Sequence, residues 1–165
     1  MTMFVRRGRR CVARFEPGEA AVLHQVIAEV VALLSDGFDR ADPVVERLFP
    51  DVYRDDPAAA AELRRYIEDD LKTAKLEQAE SMLAQLPPGG GEVRLDDEQA
   101  EAWLRALTDA RLALGLRLDI TDDTDIVAEL DEAVLRDPTS PRVSQLTVYE
   151  FLTILQESLL AALVG

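Results

Sequence analysis

The sequence predicts a mainly α-helical fold: a single-domain bundle of five to six helices that follows a short N-terminal β-hairpin. Apolar residues recur at three- and four-residue spacing along most of the 165 residues, which is the period of an amphipathic helix. Asp-Pro pairs and a Pro-Gly run separate these segments and supply helix start and stop signals. Hydrophobic residues make up 48% of the chain and charged residues 30%, a composition typical of a packed helical protein.

Residues 1–15 are predicted to form a basic hairpin or arm, and residues 16–165 one acidic helical domain. The two strands of the hairpin surround Gly8-Arg9, where glycine at the first central position suits a type II′ turn because that position needs a positive φ. In such a hairpin Cys11 lies opposite Arg6 on the neighbouring strand.

The first helix is predicted to follow Pro17-Gly18 and to end at Asp36-Gly37. Asp42-Pro43 opens a short second helix that ends near Pro50, because the aspartate caps the helix and proline suits its first position. The apolar stripe that identifies the first helix consists of Leu23, Val26, Ile27, Val30, Leu33 and Leu34.

A long helix is predicted over residues 57–86, opened by Asp56-Pro57 and ended by the Pro-Gly run at 87–91. Residues 92–95 are expected to add a short strand. The stripe expected to face the core in this helix is Leu63, Ile67, Leu71, Ala74 and Met82.

Asp96 and Gln99 form a capping-box signature that opens a helix of about 22 residues. The acidic turn at 119–125 then caps a shorter helix that ends at Asp137-Pro138. The core stripe of the longer helix is expected to be Trp103, Leu107, Ala110, Leu114 and Leu118.

The last helix is predicted to begin at a second capping box, Thr147 with Glu150, and to end near Val164. It is apolar on most sides. Such a helix is either central to a bundle or shared with a second copy of the protein, and the second alternative implies a homodimer through the C-terminal helix. The sequence leaves both alternatives open.

Charge is divided by position along the chain. All 32 acidic residues lie at or beyond Glu16, so the part after Arg14, with 13 basic residues, carries a formal charge of −19. That part repels nucleic acid, and we expect direct nucleic-acid binding only through the basic arm. The arm could equally bind the acidic body of a second copy. The arginines of the arm are Arg6, Arg7, Arg9, Arg10 and Arg14.

No catalytic residue, metal site or cofactor is expected. A single histidine, His24, excludes motifs that need two, and the acidic turn at 119–125 lacks the glycine and glutamate of a calcium-binding loop. The glycines at 89–91 are not followed by the Gly-Lys-Ser/Thr of a phosphate-binding loop. Without a signal-peptide pattern or an uninterrupted apolar span, we expect a cytoplasmic protein outside the membrane.

Two residues have a functional interpretation beside a structural one. Cys11 is a redox candidate, because nearby arginines favour the reactive thiolate, yet its strand face is apolar and favours simple packing. Arg111 lies on the same stripe as Trp103 and Leu107, so its guanidinium must snorkel, stack, or pair with an acid from another helix. A structural ion pair is favoured over anion recognition. As the only cysteine, Cys11 cannot form an intramolecular disulfide.

Three segments resemble an actinobacterial family long catalogued as a domain of unknown function and also named for an oxidative-stress regulator, AosR. They are residues 49–56 (FPDVYRDD), 101–115 (EAWLRALTDARLALG) and 148–159 (VYEFLTILQESL). The resemblance runs from about residue 14 to the C-terminus. The residues that carry it are Trp103, Arg105, Arg111, Tyr149 and Glu150.

The resemblance implies a cytoplasmic, non-enzymatic regulator tied to redox-responsive transcription, which acts through contacts with other proteins. The partner is expected in the transcription apparatus, bound through the arginine arm or through a Trp103/Tyr149 surface. Two alternatives stay open: a constitutive homo-oligomeric scaffold, and a small-molecule-binding bundle that uses Arg111 around a pocket.

Overall fold

The computed structural model of the chain describes residues 2–35, 39, 41–49 and 57–165. Within these ranges it contains six helices and a three-stranded antiparallel sheet, which confirms the mainly α-helical class. The elements in chain order are β1 (Val5–Arg7), β2 (Arg10–Phe15), α1 (Pro17–Ser35), α2 (Pro43–Leu48), α3 (Pro57–Gln85), β3 (Gly91–Leu95), α4 (Asp97–Arg117), α5 (Ile126–Arg136) and α6 (Pro141–Val164).

The predicted hairpin is confirmed, and its second strand is the centre of the sheet. Gly8 has a φ of +61°, the positive value that its turn position needs. The strand predicted after the Pro-Gly run is also present, and Cys11 of β2 lies opposite Arg6 of β1 and Leu95 of β3. Sequence-distant β3 therefore fixes the hairpin to the body of the protein.

The inner face of the sheet closes one side of the helical core. Phe4 and Phe15 from the hairpin both contact the indole of Trp103 in α4, with ring centroids 5.6 Å and 6.1 Å away. All three side chains are at most 4% exposed. Aromatic contacts of this kind stabilise beyond the area they bury, so the hairpin and the helices share one core.

Three of the predicted helix start signals are confirmed. Asp42 accepts a hydrogen bond from the Val44 amide, and Asp96 with Gln99 forms a complete capping box at the start of α4. Asp125 caps α5 in the same way. The stop at Asp36-Gly37, the cap at Asp56 and Pro50 lie outside the described residues.

The predicted start of the last helix is wrong. The helix α6 begins at Pro141, where Ser140 has extended backbone and accepts a hydrogen bond from the Val143 amide. Thr147 lies inside the helix, and its hydroxyl donates to the Val143 carbonyl over 2.7 Å. A serine cap followed by proline is the stronger start signal, and it adds almost two turns to the helix.

The predicted stripe of α3 is wrong in its first half. Ile67 and Leu71 are each 39% exposed, whereas Met82 is fully buried with Ala79 and Leu86 near the other end. At about 1.5 Å per residue the 29 residues of α3 span roughly 43 Å, against roughly 30 Å for α1 and α4, on which it packs. The first turns of α3 therefore extend past the core.

The helix α6 contributes to the hydrophobic core. It packs against α4, α5 and β1, and six of its residues are buried between them: Leu146, Phe151, Leu152, Leu155, Leu159 and Ala162. Leu160 and Val164 are 51% and 77% exposed at its C-terminal end. The homodimer through this helix stays a prediction.

Within the described residues, α1 and α6 are long and apolar enough to cross a membrane, judged by length and composition only. Both helices also contribute to the hydrophobic core, α1 through Leu23, Ile27 and Leu34. A core helix of a globular protein satisfies the same two criteria, so the cytoplasmic location stays a prediction.

Candidate functional site

A group of exposed arginines covers the outer face of the sheet and its turn. Side chains alternate along a strand, so the inward position of Cys11 and Ala13 places Arg10 and Arg14 outside. Arg7 lies directly opposite Arg10. We call the group the basic sheet face, and it consists of Arg7, Arg9, Arg10, Arg14 and Arg94.

The charges of the basic sheet face are mostly uncompensated. Arg94 pairs with Glu92 over 3.0 Å, but Arg7, Arg9, Arg10 and Arg14 have no ion pair within the part of the chain that the structure describes. Like charges directly opposite each other on neighbouring strands, such as Arg7 and Arg10, destabilise a sheet. A local arrangement that costs stability is expected mainly at functional surfaces.

Arg6 is separate from this surface. Its guanidinium lies 3.0 Å from the Asp97 carboxylate at the start of α4 and 3.8 Å from the Cys11 sulfur. The hydrogen bond to Asp97, and then the contact with Cys11, raise the pKa of Arg6. The arm predicted as one set of five arginines therefore divides into Arg6, which ties the hairpin to α4, and four that face solvent.

Cys11 is fully buried in the middle strand. The predicted position opposite Arg6 is confirmed, but the thiol is covered by the core on its other side. Burial favours the packing interpretation, since an oxidant reaches the sulfur only after the hairpin opens. The redox role of Cys11 stays a prediction.

Trp103 does not belong to an interaction surface. It is fully buried, and its indole N–H donates to the Gln85 side-chain oxygen over 2.6 Å. The predicted Trp103/Tyr149 surface is therefore wrong for its tryptophan. Arg105, also in the motif, is exposed, while Tyr149 and Glu150 are half-buried.

Arg111 contacts uncharged groups of α6. Its Nη1 donates to the Gln156 side chain over 2.6 Å, its Nη2 lies 3.5 Å from the Tyr149 hydroxyl, and its Cζ lies 5.4 Å from the centroid of the Tyr149 ring. The ion pair predicted for Arg111 is not found among the described residues. The physical reason is that α6 presents an amide and a phenol where the prediction required a carboxylate.

A cavity of about 420 Å³ opens beside Arg111. Gly115 allows the Tyr149 ring to pack closely against α4 at the edge of the cavity, because a Cβ atom at position 115 would lie 3.2 Å from that ring. The polar groups around this cavity are those of Arg47, Thr108, Arg111, Thr121, Asp122 and Tyr149. We call it the Arg111 cavity.

His24 and the buried carboxylate of Asp109 are occupied by structural contacts. The half-buried His24 has its Nε2 2.8 Å from the Leu86 carbonyl. Asp109 is 4% exposed and bonds Lys75 of α3 over 2.7 Å. Our prediction missed this pair, although Ala106, Asp109 and Ala113 have the spacing of a buried face.

The described residues contain no group of three or more His, Cys, Asp or Glu side chains that could hold a metal ion.

Comparison with known proteins identifies relatives along nearly the whole chain. A family model described as a domain of unknown function, DUF2017, matches residues 1–163. The chain is 31% identical to proteins named "Oxidative stress regulator AosR" from Mycobacterium tuberculosis (H37Rv) and Mycobacterium bovis, over 97% of this chain and 85% of each relative. A Mycobacterium leprae relative, whose name also contains the words oxidative stress regulator, is 36% identical over 75% of this chain and 59% of its own. No solved structure matches.

Proposed function

The chain belongs to the DUF2017 family, and we propose that it is a non-enzymatic cytoplasmic regulator of the oxidative-stress response that acts through contacts with another protein. The observation that carries the regulatory role is its similarity to relatives named as oxidative stress regulators. Because that similarity covers 97% of this chain, it includes the hairpin as well as the helices. We therefore treat the basic sheet face as part of the regulatory unit.

The basic sheet face is the proposed contact surface. It presents four solvent-facing arginines that have no ion pair in the described chain. The protein as a whole has a formal charge of −14. Arginine is common at protein interfaces because its planar guanidinium forms paired hydrogen bonds with carboxylates. The partner chemistry that fits is an acidic protein surface, and a component of the transcription apparatus is our proposal for its source.

Direct reading of nucleic acid fits the same surface less well. The arginines could contact phosphates, but the chain beyond Arg14 carries a formal charge of −19 and repels a polyanion. Among the helix residues whose side chains the structure describes, no row of basic side chains would enter a groove. These charges support a protein partner over DNA.

The potentially reactive side chains support a role without catalysis. His24 is within hydrogen-bonding distance of a backbone carbonyl, Cys11 is buried, and Asp109 pairs with Lys75. The Cys11 thiol and the His24 imidazole have different hydrogen-bond partners and do not form a nucleophile–base pair with each other.

A second copy of the chain is the alternative partner, because its acidic body complements the basic sheet face of the first. In this alternative the protein is a constitutive homo-oligomer with a scaffold role. Mass by light scattering separates the two, since a scaffold forms oligomers in the purified protein while a regulator needs the heterologous partner.

The test is complementation in the native host after deletion of the gene. Two variants with equal charge change are compared. The sheet-face variant carries Arg7→Gln, Arg10→Gln and Arg14→Gln, and the helix variant carries Arg105→Gln, Arg117→Gln and Arg136→Gln. We expect deletion to change the transcript response to peroxide, and the wild type and the helix variant to restore it while the sheet-face variant does not.

An unchanged transcript response after deletion would remove the regulatory role. Restoration by both variants would leave the regulatory role standing and exclude the basic sheet face as the contact surface. Circular dichroism of the purified variants checks that each is folded, which is expected because all six substituted residues are exposed.

A further inference from the structure

We propose that the Arg111 cavity binds a small organic anion, a carboxylate or a phosphate monoester with an apolar part, between the guanidinium groups of Arg47 and Arg111. The site is independent of the basic sheet face and of the regulatory proposal. Its walls come from the end of α2, from α4, from the turn at 120–122 and from Tyr149 of α6. At about 420 Å³ it lies in the size range of small-molecule sites.

The hydrogen-bond donors of Arg111 are only partly used. A guanidinium has five N–H donors, and here one short bond to Gln156 accompanies a contact of 3.5 Å to Tyr149. Its Nε is buried without a hydrogen-bond partner. Leaving a buried charged donor unsatisfied is costly, and such a group calls for a specific explanation.

An anion in the cavity would accept from Nη2 in place of the long contact with Tyr149. It would also compensate the charge of a guanidinium that has no carboxylate partner in the described chain. The Arg47 side chain, exposed at the end of α2, adds a second positive charge to the cavity lining. Hydrogen bonds to charged groups are the stronger class, so this contact dominates the expected affinity.

The remaining walls restrict the class of ligand. Leu112, Leu116 and Ile120 give the cavity an apolar side, while Thr108 and Thr121 add hydroxyls. The Asp122 carboxylate also lines the cavity and disfavours ligands with several negative charges. The lining therefore fits a single anionic group on an apolar body, and fits a nucleoside polyphosphate poorly.

The experiment is a titration of the full chain followed by NMR, with three probes. Phenylacetate carries a carboxylate on an apolar body, phenylacetamide is its neutral counterpart, and inorganic phosphate has the anion without the body. We expect phenylacetate to shift the Arg111 Nε–H and Gly115 amide signals saturably. Phenylacetamide should bind at least roughly tenfold more weakly, because it lacks the charge. Saturable shifts with phosphate alone would assign the site to phosphate monoesters.

Two variants and a control complete the test. Arg111→Gln should weaken phenylacetate binding by roughly tenfold or more, and Arg105→Gln, on the exposed side of α4, should leave it unchanged. Since Arg111 also bonds Gln156, its variant could fail to fold, and Arg47→Gln at the exposed rim then serves instead, with an expected loss of about threefold to tenfold. The proposal is wrong if none of the probes shifts these signals saturably, or if phenylacetamide binds as tightly as phenylacetate.

Discussion

The buried ion pair between Lys75 and Asp109 shows how one residue pair links two helices at a cost. The side chains are 16% and 6% exposed, and the bond of 2.7 Å joins α3 to α4 at the point beyond which α3 leaves the core. Taking both charges out of water offsets much of their attraction. The pair therefore contributes mainly to the alignment of the two helices and less to net stability.

Removing only the cation should be strongly destabilising. We expect Lys75→Met to lower the free energy of unfolding by about 3 kcal/mol, because it leaves Asp109 buried without a counter-charge. The double variant Lys75→Met with Asp109→Leu should recover most of that loss or exceed the wild type. Urea denaturation followed by circular dichroism measures all three proteins. A single variant as stable as the wild type would show that Asp109 is solvated.

The same pair predicts a pH dependence. Burial raises the pKa of Asp109 above its ordinary value of 3.8, and the contact with Lys75 opposes that rise. Between the ordinary and the raised value the folded chain holds a proton that the unfolded chain has released, so the contribution of Asp109 to stability falls as pH rises. Lys75→Met removes the contact that opposes the rise in the pKa of Asp109. The pH range in which the folded chain holds the extra proton therefore extends to higher pH. The stability difference between wild type and variant should grow with pH and nearly vanish at low pH, as measured by urea titrations across the range.

Cys11 should react slowly with a thiol reagent in the native protein. Its side chain has no exposed surface, so labelling requires opening of the hairpin. We expect a large acceleration in denaturant, and a rate in native buffer that follows the stability of the hairpin in Arg6→Gln and wild-type protein. Labelling at the unfolded rate in native buffer would show that the thiol is already accessible and would strengthen its redox candidacy.

At the scale of secondary-structure elements, the sequence predicted every helix and strand in the described chain. Element types follow from periodicity and from caps such as Asp42 and Asp96, which are local signals. The predicted start of α6 depended on the cap signature at Thr147, whereas the observed cap is Ser140, seven residues earlier. The exposure of the first half of α3 was missed because it depends on how far α1 and α4 extend along α3. The residues of α3 itself contain no signal for the lengths of those helices.

The remaining differences between the predicted and the observed candidate site arise from contacts between elements. The Lys75–Asp109 pair and the uncharged partners of Arg111 depend on the relative placement of three helices, which spacing within one helix does not fix. The fold class was therefore predictable from the sequence. The Arg111 cavity, whose walls come from three helices and a turn, was not.

The start of α6 gives a direct test at this scale. We expect Ser140→Ala to lower the free energy of unfolding by about 1 kcal/mol, because it removes the acceptor for the Val143 amide. Thr147→Ala should be neutral or slightly stabilising, since alanine has the higher helix propensity at an interior position. Thermal or urea unfolding of both variants measures the two changes in the free energy of unfolding. The reverse ranking would place the helix start near residue 147.

For the whole molecule, the central feature is the separation of charge between the sheet and the helical body. The helical body is acidic in a protein with a formal charge of −14, while the basic sheet face presents solvent-facing arginines. We expect the body to repel nucleic acid and the basic sheet face to attract an acidic partner. Salt should weaken that encounter.

The most direct measurement of that claim is quantitative affinity purification from peroxide-treated cells of the native host. It compares the wild type with the sheet-face and helix variants at low and high salt. We expect the same partner to be enriched by the wild type and by the helix variant and to be lost from the sheet-face variant, and we expect salt to weaken its binding. A partner kept by the sheet-face variant and lost from the helix variant would exclude the basic sheet face and place the contact on the acidic helical body.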